Sequence, residues 1–208
     1  MASDLYGSDD LTTEPPMLAA VSYEAGFPID DFLAGIVSAL RRDRFRLGGA
    51  IQRNPAPADS LAASDHSHGC CSDMLLVDLA NGERVVISQN LGSEAQSCRL
   101  DASGLVELGG KLELTLDRSI DLMILNKFGR AEAEGGGFRG VIARAIDIDV
   151  PLLTAVRPLY REAWQCFHGG MAVDLAPEAN DVLAWCRRAA GAAQAARTLR
   201  LAEQSTQV

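Results

Sequence analysis

The chain has almost no lysine. Only Lys111 and Lys127 occur among 208 residues, and the other seventeen basic residues are arginines. It also lacks any excess of positive charge, since 28 acidic against 19 basic residues leave a formal charge of −9. That balance excludes nonspecific nucleic-acid binding, which needs a basic face to displace counterions. It equally excludes docking on anionic membranes. No stretch approaches the roughly eighteen uninterrupted apolar residues of a membrane helix. The N-terminal segment has neither the charged start nor the apolar run of a secretory signal. The expected compartment is therefore the cytoplasm, where the five cysteines, an odd number, are thiols. No Ser-His-Asp or Cys-His spacing points to nucleophilic catalysis, and no repeat of fixed period is present.

What is there suits one domain. With 48% hydrophobic and 23% charged residues the chain can bury a core. Residues 1–16, carrying Asp4, Asp9, Asp10 and Glu14, are expected to be a disordered acidic tail. Residues 17–190 are expected to form a single α/β domain, and 191–208 a helix end and tail. After Pro15-Pro16, short apolar runs alternate with helix-length segments. Strands are predicted at 18–22 (LAAVS), 47–52 (LGGAIQ), 120–125 (IDLMIL), 151–156 (PLLTAV) and 171–175. Helices are predicted at 29–42, 104–116, 138–148, through Trp164 and Phe167, and from Pro177 to Cys186. Residues 74–79 and 84–88 flank Asn81-Gly82, a hairpin signal because both positions tolerate positive φ. The βαβ rhythm predicts a three-layer fold with a mostly parallel sheet and a hairpin inserted after the second strand.

In such a sheet, ligands bind beyond the carboxyl ends of the strands. The residues there include Arg53, Asn126, Lys127 and Arg157, with Arg130 and Arg139 close behind and Arg99 in a CRLD stretch. One of two lysines and several arginines thus collect at the edge where an anion would sit, beside helix N-termini with free N–H groups.

Two blocks resemble known families. GGAIQ at 48–52 and DMLLVDLANGE at 73–83 look like the second strand and hairpin of the small bacterial and archaeal P-loop nucleoside-triphosphatases, and Asn126-Lys127-Phe128-Gly129-Arg130-Ala131-Glu132 is similar to their Asp-Glu-Ile-Gly-x-Met-Glu motif. A closer resemblance is to an uncharacterised bacterial family often encoded near molybdate-transport genes. ISQNLG at 87–92, CRLD at 98–101 and 126–137 from NKFG to EGGG carry it, over roughly residues 18–185. The resemblance implies a P-loop NTPase type of fold and a setting in molybdate metabolism.

The departures from a working P-loop bear on function. The pattern G-x-x-x-x-G-K-[ST] needs Lys on the β/γ-phosphates and a hydroxyl on Mg²⁺. Here residues 23–31 read YEAGFPIDD, with Ile29 in the lysine position, Pro28 replacing a glycine and removing a donor, and Asp30 in the hydroxyl position. At the other strand end, the Mg²⁺-linked Asp is Asn126 and the catalytic Glu is Lys127. Ordinary NTP hydrolysis is therefore not expected. The leading expectation is a non-hydrolysing, P-loop-like accessory protein that binds a small oxyanion or anionic metabolite, with molybdate or a nucleotide as candidate ligands. An NTPase with a rearranged site built on Lys127 and Glu132 is the enzymatic alternative. A protein partner or a homo-oligomer stays open.

A third class is a metal-binding or delivery module. His66, His68, Cys70 and Cys71 fall within six residues, and with Cys98 they offer the imidazole and thiolate ligands that suit Zn²⁺ or Cu(I). Their spacing is not that of a zinc finger, and a loop merely rich in these residues is the favoured reading. Cys166 and Cys186, beside Trp164, Phe167 and Trp185, are expected in the core, and His168 at a helix end.

Overall fold

The computed structural model describes residues 16–53, 74–87, 102–117 and 119–206. Seven strands form one sheet: β1 (Leu18–Ser22), β2 (Leu47–Arg53), β3 (Leu75–Asp78), β4 (Arg84–Val86), β5 (Leu122–Leu125), β6 (Leu152–Val156) and β7 (Ala172–Leu175). The helices are α1 (Ile29–Arg42), α2 (Ala102–Thr115), α3 (Arg130–Ala133), α4 (Arg139–Asp147), α5 (Arg161–His168) and α6 (Ala179–Thr206). The strand order is β4-β3-β2-β5-β6-β1-β7. β2, β5, β6, β1 and β7 run parallel, and the β3–β4 hairpin joins the β2 edge antiparallel. This is the α/β fold with a mostly parallel sheet and inserted hairpin that the apolar runs predict.

Each central strand is apolar throughout because both its faces are covered. Leu18 and Ala20 of β1, Met123 and Leu125 of β5, and Leu152 of β6 face α2, α4 and Trp164 of α5. Ala19, Val21, Leu122, Ile124 and Leu153 face the opposite way, onto α1 and α6. The faces alternate residue by residue, as strand geometry requires. Gly49 makes one close approach possible. Its φ is +95°, and a Cβ there would run into the Ile124 carbonyl of β5.

Several details differ from expectation. At the hairpin only Gly82 takes positive φ (+78°). Asn81 instead uses its side chain, its Oδ1 accepting the Glu83 N–H at 2.7 Å, an Asx turn. β5 starts at Leu122 and not at residue 120, because Asp121 is buried and spends its carboxylate on other elements. Its Oδ2 accepts the Arg46 N–H at 2.7 Å and the Gln194 amide at 2.9 Å, and its Oδ1 the Arg197 guanidinium at 2.6 Å. That clamp, with an Arg200–Asp149 pair at 2.8 Å, holds the distal turns of α6, which runs unbroken through Gly191 to Thr206. Helix α3, four residues long, carries too few turns to show any periodicity. Cys186 is buried as expected, but Cys166 is exposed. Trp164, Phe167 and His168 turn inward on α5, and two residues of helical rotation carry Cys166 to the far side of Trp164.

No helix among the described residues is long and apolar enough to cross a membrane.

Candidate functional site

β1 and β6 are neighbours, yet their following helices leave to opposite faces, α1 to one and α5 to the other. A crevice must open between them at the carboxyl ends, the switch point where ligands bind in open α/β sheets. A cleft of about 370 Å³ lies there, lined by residues 25–31 of the β1–α1 loop together with Tyr23, Lys127 and Arg157.

Local packing explains how Lys127 reaches it. Phe128 bridges in parallel to Val156 and is buried against Trp164 and Phe167, with ring centroids 5.1 and 5.6 Å away. Strand alternation then directs the preceding Lys127 to the opposite, α1 side. Its Nζ meets Asp30 Oδ1 at 2.8 Å and Gln52 Oε1 at 3.4 Å. The Asp30 contact is a charge pair without hydrogen-bond alignment, and Oδ1 is closed to solvent. Lys127 thus reaches from the end of β5 to an aspartate at the start of α1.

Three of the loop's backbone donors are already spent. Tyr23 N–H is taken by the Val156 carbonyl at 3.2 Å, Phe27 N–H by Glu24 at 3.2 Å and Ile29 N–H by Phe27 at 2.8 Å. Pro28 has none to give, and the Ile29 side chain is buried in the core. Burial raises the Tyr23 phenol above its ordinary 10, with Arg157 opposing and Asp30 and Tyr160 adding to the shift. Its O–H therefore stays protonated at neutral pH.

The other candidate residues separate. Asn126 is buried in a second, smaller cavity of about 150 Å³, its Oδ1 accepting the Gln52 N–H at 3.0 Å. Arg130 lines that same cavity and pairs with Glu134 at 2.7 Å. Arg139 lies 4.4 Å over the Phe167 ring and donates to the Glu132 carbonyl at 3.2 Å. Arg53 is exposed at the end of β2 and lines neither cavity. Arg99, His66, His68, Cys70, Cys71 and Cys98 lie outside the described residues. Among the described residues no group of three or more His, Cys, Asp or Glu could hold a metal ion. Of the strand-end cations, Lys127 and Arg157 share the large cleft, and Asp30 and Asp31 face them there. The paired exchange of charge at residues 30 and 127 was the sequence signal for this contact, although spacing alone gives no reach.

Residues 18–185 match the profile of a family described as "Protein of unknown function (DUF2478)". The chain belongs to the DUF2478 family. This DUF2478 chain is also 37% identical over 174 residues to a "Molybdenum import ATP-binding protein ModC 2" of Bradyrhizobium diazoefficiens. The match covers 84% of the chain but 18% of that relative, so most of the relative has no counterpart here. No solved structure matches this DUF2478 protein.

Proposed function

We propose that this protein is a non-hydrolysing, degenerate P-loop-like accessory protein that binds a small oxyanion, with molybdate the first candidate. One observation carries the reading: Lys127 and Arg157 come from adjacent strand ends to one cleft at the switch point of the sheet. A cleft of this size admits a tetrahedral oxyanion with room to spare. The loop below it, with the Tyr23, Phe27 and Ile29 amides already bonded and Pro28 and Ile29 in the phosphate-binding positions, suits side-chain recognition better than the backbone cradle of a triphosphate. The name of the molybdenum-import relative supports molybdate metabolism as the setting, and the cytoplasm as the compartment where such a protein would act. The strand–loop–helix of β1 and α1, separated by β6 from β5 and the residue 126 that follows it, supports a P-loop type of fold.

Calorimetric titration with molybdate, tungstate, sulfate and phosphate tests the proposal. Wild type should bind at least one of them, and Lys127→Ala should lose at least about tenfold in affinity. Failure of wild type to bind any of the four overturns it.

The reach of Lys127 into the β1–α1 loop favours one further reading, an NTPase with a rearranged site. It requires Mg²⁺-dependent phosphate release that disappears in Lys127→Ala. Glu132 is a poor base for it, because Oε2 already accepts the Gly129 N–H at 2.8 Å and Oε1 the Phe138 N–H at 3.0 Å.

A further inference from the structure

We infer that Tyr23 and Arg157 form a donor pair that grips one oxyanion in the large cleft, the Tyr23 phenol binding the ligand beside the guanidinium. The inference rests on the oxyanion reading above and names two groups that hold the ligand at that site. Register brings them together. Ser22 of β1 stands opposite Val156 of β6, and the Tyr23 N–H continues the ladder by donating to the Val156 carbonyl at 3.2 Å. Tyr23 and Arg157 are therefore the next pair in register, on neighbouring strands about 4.8 Å apart. Arg157 keeps extended backbone, with φ −84° and ψ 154°, so the alternation of β6 runs on through it. Val21 and Ala155 face α1, and two residues further on Tyr23 and Arg157 face the same way. Both line the cleft. The guanidinium is near enough to pull the phenol downward against the effect of burial.

Neither group is spent elsewhere among the described residues. Tyr23 is 7% exposed, and its hydroxyl makes no hydrogen bond among them. The oxygen is not sealed in either. Among the described residues the side-chain atoms both closed to solvent and unpartnered are Asp30 Oδ1, Thr154 Oγ1, Trp164 Nε1 and Trp185 Nε1. The phenol oxygen is not one of them, so it opens to the cleft that Tyr23 lines. Phe27 packs beside the Tyr23 ring with centroids 6.5 Å apart, and Phe32 backs Phe27 at 5.5 Å. The phenol is thus positioned by apolar neighbours and leaves its O–H for a ligand. Arg157 makes no ion pair or hydrogen bond among the described residues, whereas Lys127 is held by Asp30 at 2.8 Å. A guanidinium and a phenol both donate, and an O–H bond to an anionic oxygen is among the shorter and stronger kinds. Side chains rising from adjacent register positions can bond two oxygens of one anion.

Calorimetry on wild type with molybdate, tungstate, sulfate and phosphate identifies the tightest of the four, which then serves as the probe. Tyr23→Phe removes one oxygen and keeps the ring. It should weaken binding of the probe at least about tenfold, the loss of one hydrogen bond to a charged group. Its thermal unfolding midpoint should stay at the wild-type value, because the hydroxyl bonds nothing in the free protein. Arg157→Gln should weaken binding at least about tenfold as well. In the double variant the loss should depart from the product of the single losses by at least about twofold, the mark of two groups on one ligand. Saturating wild type with the probe should also give a tyrosine difference band in the near ultraviolet. Unchanged affinity in Tyr23→Phe overturns the inference and leaves the oxyanion site standing. So do weaker binding accompanied by a lowered midpoint, which would make the hydroxyl structural, and single losses that simply multiply. Absence of the band in saturated wild type overturns it even if Tyr23→Phe fails to fold. If none of the four anions binds wild type, the oxyanion reading fails and the inference falls with it.

Discussion

The Glu132 carboxylate reaches across the triple-glycine turn and accepts the Phe138 N–H at 3.0 Å, while its second oxygen accepts the Gly129 N–H at 2.8 Å. Glu132 is 4% exposed, so these are buried charge-assisted bonds that tie α3 to the start of α4. The turn is shaped around it. Gly137 has φ +59°, and a Cβ there would collide with the Glu132 carboxylate.

Glu132→Ala should therefore cost about 3 kcal/mol, because two buried N–H groups lose their acceptor at roughly 1–3 kcal/mol each. Glu132→Gln should cost part of that, since its amide presents one acceptor where two donors wait. Gly137→Ala should destabilise by about 2 kcal/mol through the left-handed backbone and the collision together. Urea unfolding followed by circular dichroism measures all three. Wild-type stability in Glu132→Ala would show that the carboxylate is free for a ligand after all.

Asp121 gives a pH prediction with a definite sign. Burial pushes its carboxyl up, but the Arg46 N–H, the Arg197 guanidinium and the Gln194 amide outweigh burial and hold it below the ordinary carboxylate value of 3.8. A carboxylate lowered in the folded state contributes stability above its unfolded value and loses it as pH falls through the folded one. Asp121→Asn should thus be less stable than wild type at pH 7, by about 3 kcal/mol for a broken buried pair. The two should draw together as pH falls below the ordinary carboxylate value of 3.8 and through the lower value of the folded state. Paired urea titrations at pH 7 and pH 2.5 read this. A difference that stays constant between those pH values would remove the carboxylate's charge from the explanation.

The same residue marks where sequence reasoning stopped. Continuous apolar runs such as LMIL and LLTAV announce central strands, and the spacing of Phe32, Leu33, Ile36, Val37 and Leu40 defines α1 to its observed ends. Local pattern suffices there because the burial of each residue follows from its own element. Asp121 sits in an apolar run, and only the arrival of Gln194 and Arg197 from α6 makes its burial tolerable. The site shows the same division. Its place at the strand ends follows from the βαβ rhythm, and so does the gathering of basic residues. Which of them converge depends on Phe128 packing between Trp164 and Phe167, which no spacing rule contains. Hence Lys127 and Arg157 line the same cleft, whereas Arg139 turns to Phe167.

His168 closes the α5–β7 connection. Its Nδ1 accepts the N–H groups of Gly170 and Ala172 at 3.1 and 3.2 Å, which places the ring proton on Nε2. Gly169, at φ +55°, ends the helix in the left-handed region. His168→Ala should lower stability by about 1 kcal/mol, as two part-buried donors lose their acceptor. His168→Asn should recover part of the loss, because its Oδ1 lies where Nδ1 did. Thermal unfolding ranks the three proteins, and an asparagine variant no better than alanine would assign the effect to lost ring packing on Trp164.

Cys166 of α5 and Cys186 of α6 should differ sharply in chemistry. Cys186 is fully buried on α6, and desolvation pushes its thiol up to about 12, against a smaller downward pull from its backbone hydrogen bond and Arg187. Only the thiolate reacts with alkylating agents. At pH 8 the native protein therefore presents almost no nucleophile at Cys186, and the packed core blocks the reagent as well. Cys166 is exposed on the outer side of α5. Iodoacetamide at pH 8, followed by peptide mass mapping, should modify Cys166 in the native protein and Cys186 only after addition of denaturant. The raised thiol also carries a stability term with the opposite sign to that of Asp121. It is fully present below the unfolded thiol value near 8.5 and declines as pH climbs toward 12. Cys186→Ala should accordingly lose less stability than wild type between pH 8 and pH 10.5, compared by urea midpoints. Labelling of Cys186 in the native state at the rate of Cys166 would show instead that α6 opens readily from the β-sheet.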